Sequence, residues 1–243
     1  MKNFSLYSFI LICSLFGQSD HLLFKNIVIA PDSAEMVVII NPTTESINLD
    51  NYYLTDANSS SHQYYNISSS QDHWSNNPFD FFINFPDGYI EPGDSLIISM
   101  STSDVFSSYY GFSCDYALAN EDEINELEGD VGILVQLGSS SPLDDNRESL
   151  VLFEWDGSSN VVQDVDYFVW NVNDYDPDNP DQNLEQFQID KTNVENYLSD
   201  TPKEDQIYQI AHLDGESYQR KDLLELDENK LGGNGITGHD ETS

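Results

Sequence analysis

Short hydrophobic runs separated by turn-forming residues dominate residues 22–56. An apolar run at residues 24–30 is followed by a turn and by a second apolar run at residues 36–40. Two shorter elements, at residues 47–50 and 52–55, are rich in aliphatic and tyrosine side chains. β-Branched and aromatic runs interrupted by Pro, Asn, Asp and Ser are typical of short antiparallel strands. The pattern therefore predicts four strands here, around which the remaining strands would be arranged.

The same pattern predicts further strands along the chain. The clearest apolar runs are residues 79–85, 95–100, 132–138, 149–155 and 160–170. Asp156 and Gly157 lie between the last two runs, so the pattern predicts a β-hairpin there. Successive side chains of a strand point to opposite faces of its sheet. Alternation in the second hairpin strand would give one face to Val161, Val165, Tyr167 and Val169, and the other to Asp164, Asp166 and Phe168.

Two segments are less regular. Residues 104–111 are compatible with a strand or with one helical turn, because so short a segment does not show a decisive period. Residues 171–205 are poor in apolar residues and rich in Asp, Asn and Pro, which predicts a long acidic loop insertion with a short helix near residues 192–198. Such long loops are uncommon in compact domains, so the insertion is a candidate for function or ion binding. Weak strand signals return at residues 206–213 and 217–220.

The charge of the chain restricts the classes of partner that it can bind. The 243 residues include 8 Lys and Arg against 44 Asp and Glu, a net charge of −36, and no Lys or Arg occurs between Asn26 and Asn146. Nucleic-acid binding depends on cationic side chains, so this composition argues against a nucleic-acid partner and against an anionic membrane surface. We interpret the acidity as adaptation to saline or cation-rich surroundings. A specific acidic docking face is the alternative interpretation.

Residues 1–19 have the composition of a secretory signal peptide. Lys2 is the only charge before Asp20, an apolar stretch follows it, and Gly17, Gln18 and Ser19 offer a cleavage region. A retained membrane anchor is the alternative, although the apolar stretch is short for a membrane span. After cleavage, Cys114 would be the one remaining cysteine, so no intrachain disulfide would form. We expect an exported protein with one domain at residues 20–243.

The order of several segments resembles the bacterial lamin-tail domain. The best matching stretch runs through Ala34, Glu35 and an apolar strand that ends at Asn41-Pro42-Thr43. Further matching segments are the corner at residues 90–96, the strand and turn at residues 150–157, the strand at residues 165–170, Ser217-Tyr218-Gln219-Arg220 and Gly235-Ile236-Thr237-Gly238. The resemblance implies an all-β fold, an immunoglobulin-like antiparallel β-sandwich. The family's last strand would lie just beyond Ser243, so we expect either a fragment or a sheet that a partner strand closes.

The resemblance also implies a function. Bacterial lamin-tail domains occur on exported, often multidomain proteins, where they serve attachment. We therefore expect a secreted or cell-surface, non-catalytic interaction module with a protein or cell-envelope partner. We expect no direct membrane binding after signal cleavage, and further domains could follow residue 243. One alternative is an accessory domain of an exported hydrolase, a nuclease or a phosphoesterase. The other is a calcium-dependent adhesin.

One motif in the insertion suggests a metal ion. Asp174, Asp176 and Asp178 have the spacing of the first, third and fifth ligands of a calcium loop, and Glu185 falls at the twelfth position. Asp181 falls at the eighth position, where an apolar residue is usual, and no flanking helices are evident. The sequence therefore predicts at most an irregular calcium site of Asp174, Asp176, Asp178, Asp181 and Glu185. The alternative is an acidic loop that binds no specific ion.

Sequence patterns of other sites do not occur. The five histidines are scattered, and no spacing is typical of zinc ligands. There is no Gly-x-Ser-x-Gly nucleophile motif and no phosphate-binding loop followed by Lys. We assign no catalytic residue, and calcium is the single candidate cofactor.

Overall fold

The part of the chain that the structure describes forms an all-β fold with one short α-helix. A computed structural model describes residues 20–59, 62–67, 80–118, 132–133, 135–136, 143–172, 187–199 and 202–224. The predicted signal peptide, residues 173–186 and 200–201 of the predicted insertion, and the last nineteen residues lie outside these ranges. Within them, sixteen strands occur. In chain order they are β1 (Leu23–Val28), β2 (Met36–Ile40), β3 (Ile47–Asn48), β4 (Tyr52–Thr55), β5 (Asn58–Ser59), β6 (His62–Gln63), β7 (Phe82–Asn84), β8 (Tyr89–Ile90), β9 (Ser95–Ser99), β10 (Tyr116–Ala117), β11 (Gly132–Ile133), β12 (Val135–Gln136), β13 (Glu148–Glu154), β14 (Gln163–Asn171), β15 (Gln209–Ile210) and β16 (Tyr218–Gln219).

The strands form two six-stranded sheets and two short ribbons. The first sheet has the order β11-β10-β9-β2-β1-β16, and the second has the order β12-β7-β4-β13-β14-β15. The ribbons pair β3 with β8 and β5 with β6. The run at residues 132–138, predicted as one strand, instead supplies β11 to the first sheet and β12 to the second. A short apolar run cannot reveal from sequence that its two halves pair with different sheets.

The expectation of a purely antiparallel arrangement is wrong. Three pairings are parallel: β10 with β9, β10 with β11, and β14 with β15. Between β9 and β10 the chain forms helix α1 (Ser103–Tyr110), and parallel neighbours require such a crossover connection. Of the two interpretations of residues 104–111, the helical one is therefore confirmed, although α1 has eight residues and not a single turn. The Thr102 side chain accepts a hydrogen bond from the Val105 amide at its start, and Gly111 ends it at a φ of +76°. The helix predicted near residues 192–198 is absent, since residues 187–199 form turns.

Side chains of both sheets share one hydrophobic core. Ile27, Val37 and Ile98 contribute from the first sheet, and Leu54 and Leu152 from the second. A second cluster covers the opposite face of the second sheet. Its members from the sheet are mostly aromatic, and the polar segments around residues 57–67 and 187–197 pack over them. The second sheet is thus buried on both faces.

A β-bulge interrupts the hairpin of β13 and β14. Leu152 pairs with Asp166, but the next residue, Phe153, pairs with Asp164, so Val165 is an extra residue in its strand. Val165 consequently joins the core shared by the two sheets, whereas Tyr167 and Val169 belong to the second cluster. The predicted shared face for these three residues is wrong, because a bulge shifts the alternation by one residue.

Candidate functional site

The predicted calcium ligands Asp174, Asp176, Asp178, Asp181 and Glu185 lie outside the described residues. The structure therefore says nothing about their arrangement. Within the described ranges, three features stand out instead: a cluster of carboxylates, a groove lined by cationic side chains and a buried lysine. None of them was identified from the sequence.

The acidic cluster consists of Asp32, Glu35 and Asp145. One carboxylate oxygen from each residue lies within 4.8 Å of the others. Asp32 and Glu35 belong to the connection between β1 and β2, where the Ala34 amide donates to the Pro31 carbonyl in a tight turn. Asp145 lies in the segment that leads into β13. The fold thus joins residues more than a hundred positions apart in the sequence.

Glu35 is the buried member of the acidic cluster. Its relative exposure is 1 %, while Asp32 and Asp145 are exposed. Its Oε2 atom accepts a hydrogen bond from the Leu143 amide at 3.1 Å, but Oε1 has no partner among the described residues. Burial raises the pKa of Glu35 to about 9, and the charges of Asp32 and Asp145 act in the same direction. A buried carboxylate oxygen without a donor is costly, so this group favours either a proton or a cation.

Two more carboxyl groups extend the acidic character around the acidic cluster. Burial raises the pKa of Glu148 to about 8, and the charges of Asp144 and Asp80 act in the same direction, while the hydrogen bond from the Asp144 amide opposes them. Burial also raises the pKa of Asp56 well above its usual range, with Glu148 as a further cause. The carboxyl side chains here therefore resist ionisation in the absence of cations.

A basic groove lies beside β15 and β16, the last described strands of the two sheets. It has a volume of about 440 Å³, and its cationic lining residues are Lys25, Arg220 and Lys221. These are three of only eight Lys and Arg residues in the whole chain. The rings of Phe168 and Tyr218 also line it, with their centroids 4.7 Å apart. The groove is consequently a local cationic surface on a strongly anionic protein.

Two-residue strands border the basic groove. Among the described residues, β16 is the last strand of the first sheet and β15 is the last strand of the second. The groove is lined by Gln209 of β15 and by Tyr218 and Gln219 of β16. Short terminal strands leave backbone groups near a sheet edge that another extended segment can pair with.

Arg220 fixes the basic groove to both sheets. Its guanidinium binds both carboxylate oxygens of Asp166, at 2.8 and 2.7 Å, and its Nε donates to the Phe24 carbonyl at 3.0 Å. Asp166 also accepts the Phe24 amide hydrogen at 2.7 Å. Arg220 therefore mainly links β14 to β1 at the base of the groove. The Lys25 ammonium donates to the Ser95 hydroxyl at 3.1 Å, so the exposed Lys221 is the groove cation with the most freedom to contact a ligand.

The buried lysine is Lys191, whose side chain is fully enclosed. Its ammonium group donates to the Asp164 carboxylate and lies 5.5 to 5.9 Å from the ring centroids of Tyr64, Tyr65 and Tyr197. The Tyr64 hydroxyl donates to the other oxygen of Asp164 at 2.8 Å. All these groups are paired with one another, so this constellation stabilises the segment around Lys191 on the second sheet.

Sequence reasoning missed these features because their members are distant along the chain. The one usable signal for the acidic cluster was the absence of Lys and Arg between Asn26 and Asn146, which leaves Asp32 and Glu35 without a nearby cation in sequence, although Arg147 is two positions from Asp145. The signal for the groove was the adjacent pair Arg220 and Lys221 in a chain with few cations. In the part of the chain that the structure describes, no helix is long and apolar enough to cross a membrane.

Comparisons with known proteins add little. No family model matches the sequence, and no curated protein is similar to it. Among solved structures, the chain is similar to a DUF4876 family protein from Bacteroides thetaiotaomicron, with 15% sequence identity and a TM-score of 0.42. The match covers 65% of this chain and 55% of that one, so the chain matches only about half of that protein's length. A likeness this weak does not support an assignment of fold family or function.

Proposed function

We propose that this protein is an exported, non-catalytic attachment module of the lamin-tail type with an immunoglobulin-like β-sandwich. Its partner would be an extended acidic segment of a cell-envelope protein that lies in the basic groove. The concentration of Lys25, Arg220 and Lys221 in one groove is the observation that carries this proposal. The two sheets with a shared core support the sandwich, and the apolar N-terminal stretch supports export.

The groove suits an anionic extended ligand for two reasons. Exposed charges separated by more than about 10 Å are largely screened at moderate ionic strength, so the local cations outweigh the distant negative charges. Among the described residues, the short strands β15 and β16 are also the last strands of their sheets, and a peptide strand can add at such an edge. The cations would set the preference for acidic side chains, and the backbone would supply hydrogen bonds.

A peptide-binding measurement tests this proposal. The probe is a fluorescein-labelled peptide of alternating Glu and Val, and binding to residues 20–243 is followed by fluorescence anisotropy at low and moderate salt. We expect K25E and K221E each to weaken binding by about tenfold, because each reverses a groove charge. K203E is the matched control, since Lys203 lies in a separate short 3₁₀ helix, Lys203–Asp205.

Two results would contradict the proposal. One is an absence of saturable binding by the wild-type protein. The other is equal weakening in K25E, K221E and K203E, which would show that only the net charge matters. A Lys-and-Val peptide provides a further control: its attraction to the acidic surface should not weaken in K25E or K221E.

A further inference from the structure

We propose that Asp32, Glu35 and Asp145 form a Ca²⁺ site that joins the β1–β2 connection to the segment before β13. One oxygen of each residue lies within 4.8 Å of the other two. Oxygen ligands of a single Ca²⁺ lie 2.3–2.6 Å from the ion and hence no more than about 5 Å from one another. The three oxygens therefore already have the spacing that one ion requires.

The buried carboxylate of Glu35 points to a ligand independently of this clustering. Its relative exposure is 1 %, its Oε2 is bound by the Leu143 amide, and its Oε1 is unpartnered among the described residues. Buried polar atoms nearly always have a hydrogen-bond or metal partner. A buried oxygen without such a partner, next to two other carboxylates, therefore indicates a bound cation. Among the described residues, no Lys or Arg forms an ion pair with any of the three carboxylates.

The ligand chemistry selects Ca²⁺ among common cations. All three candidate ligands are hard carboxylate oxygens, whereas zinc sites usually include His or Cys. Asp32 and Asp145 are exposed, which leaves room for water to complete the six to eight ligands that Ca²⁺ accepts. Mg²⁺ demands stricter octahedral geometry and releases its water reluctantly, so loop carboxylates of this kind suit it less. Extracellular modules bind Ca²⁺ with dissociation constants of about 10⁻⁴ to 10⁻³ M.

The site shares no residue with the lining of the basic groove or with the calcium loop predicted in the insertion. It does not depend on the proposed attachment function, because its ligands come from neither β15 nor β16. Bound Ca²⁺ would replace the missing partner of Glu35 and link two connections of the fold. The protein, expected to lack disulfides after export, would thereby gain a cross-link of another kind.

Calorimetric titration of residues 20–243 with CaCl₂ tests the proposal, at about 150 mM NaCl to suppress nonspecific attraction to the acidic surface. MgCl₂ is titrated in parallel. The variants are D32N, E35Q and D145N, each of which removes a carboxylate with little change of size. D94N is the matched control, because Asp94 is exposed and lies outside the acidic cluster. A triple variant, D174N/D176N/D178N, tests the loop predicted from the sequence.

We expect one saturable Ca²⁺ site in the wild-type protein, in D94N and in the triple variant, and at least tenfold weaker binding in D32N, E35Q and D145N. Mg²⁺ should bind more weakly than Ca²⁺. The proposal is overturned by the absence of saturable heat at about 10 mM CaCl₂. It is also overturned if the triple variant loses binding while D32N and D145N retain it. Circular dichroism of each variant, compared with wild type, confirms that lost binding does not reflect lost folding.

Discussion

Lys191 donates a hydrogen bond to Asp164, and both side chains are almost completely shielded from solvent. Asp164 is two residues from Asp166, which is buried on the other face of the same sheet and bound by Arg220. The bulge at Val165 makes this possible, because residues two apart in a regular strand point to the same face. Each acidic side chain thus has its own cation.

Lys191→Met should destabilise the protein strongly. The substitution keeps the aliphatic volume but leaves Asp164 buried without its cation, and breaking a buried pair in this way costs about 3–5 kcal/mol. Urea unfolding followed by tryptophan fluorescence measures the loss. The double variant K191M/D164L should recover a large part of it, because no charge remains unpaired. A double variant no more stable than K191M would contradict this explanation.

Arg220→Met should cost about 3 kcal/mol or more, because Asp166 would lose both of its guanidinium hydrogen bonds. Arg220→Lys should fall between this variant and wild type. Lysine keeps the charge but cannot supply the same planar pair of donors. Urea midpoints of the three proteins provide the comparison. Equal midpoints for R220K and wild type would show that charge alone, without bidentate geometry, holds the sheets at this point.

Deleting Val165 should cost little more than Val165→Ala. Residues next to each other in a regular strand point to opposite faces, so without the extra residue Asp164 and Asp166 would still lie on opposite faces and keep both ion pairs. Val165→Ala removes only buried methyl groups, at a cost of about 1–3 kcal/mol. Thermal unfolding by circular dichroism compares the two variants. A much lower melting temperature for the deletion would show that the strand does not close over the missing residue and that an ion pair is lost.

Stability should fall as the pH rises from about 5 to 8 in the presence of EDTA. The Glu148 carboxyl has an ordinary pKa of 4.5 in the unfolded chain and a pKa of about 8 in the folded protein, chiefly because of burial. Between these values the folded state binds more protons, so ionisation favours the unfolded state as the pH rises. One such group contributes at most about 1.4 kcal/mol per pH unit.

Urea midpoints measured across this pH range test the effect of Glu148. Glu148→Gln should flatten the dependence, whereas Glu45→Gln, a change at an exposed position, should leave it unchanged. The comparison of variants separates the contribution of Glu148 from the general repulsion within a highly acidic chain. Parallel curves for wild type and E148Q would show that Glu148 ionises normally in the folded state.

Cys114 should resist thiol reagents in the native protein. It is 2 % exposed and packs against Phe106 and Ala117, and burial raises the pKa of its thiol. Disulfide exchange requires the thiolate, so the native thiol should react slowly with Ellman's reagent and rapidly in urea. A C13S variant leaves Cys114 as the one thiol to be measured. Rapid native reaction would show that the α1 region opens readily.

Local pattern located most of the long strands. The predicted run at residues 36–40 coincides with β2, and those at 95–100 and 149–155 differ from β9 and β13 by one residue. β-Branched and aromatic side chains on a half-buried surface favour strands through local packing, which is why the sequence shows them. The sequence did not predict the parallel pairings, because the direction of pairing depends on which distant strands become neighbours in a sheet.

The sequence by itself determined the all-β character, the positions of the main strands and the scarcity of cations. These depend on each residue's own chemistry and on the period of two along a strand. Only the tertiary structure decided that Asp32 and Glu35 meet Asp145, that Lys25 meets Arg220 and Lys221, and that Asp164 and Asp166 face apart. Contacts between residues a hundred or more positions apart follow from sheet order and register. A single displaced residue, the bulge at Val165, was enough to reverse the faces that alternation predicts.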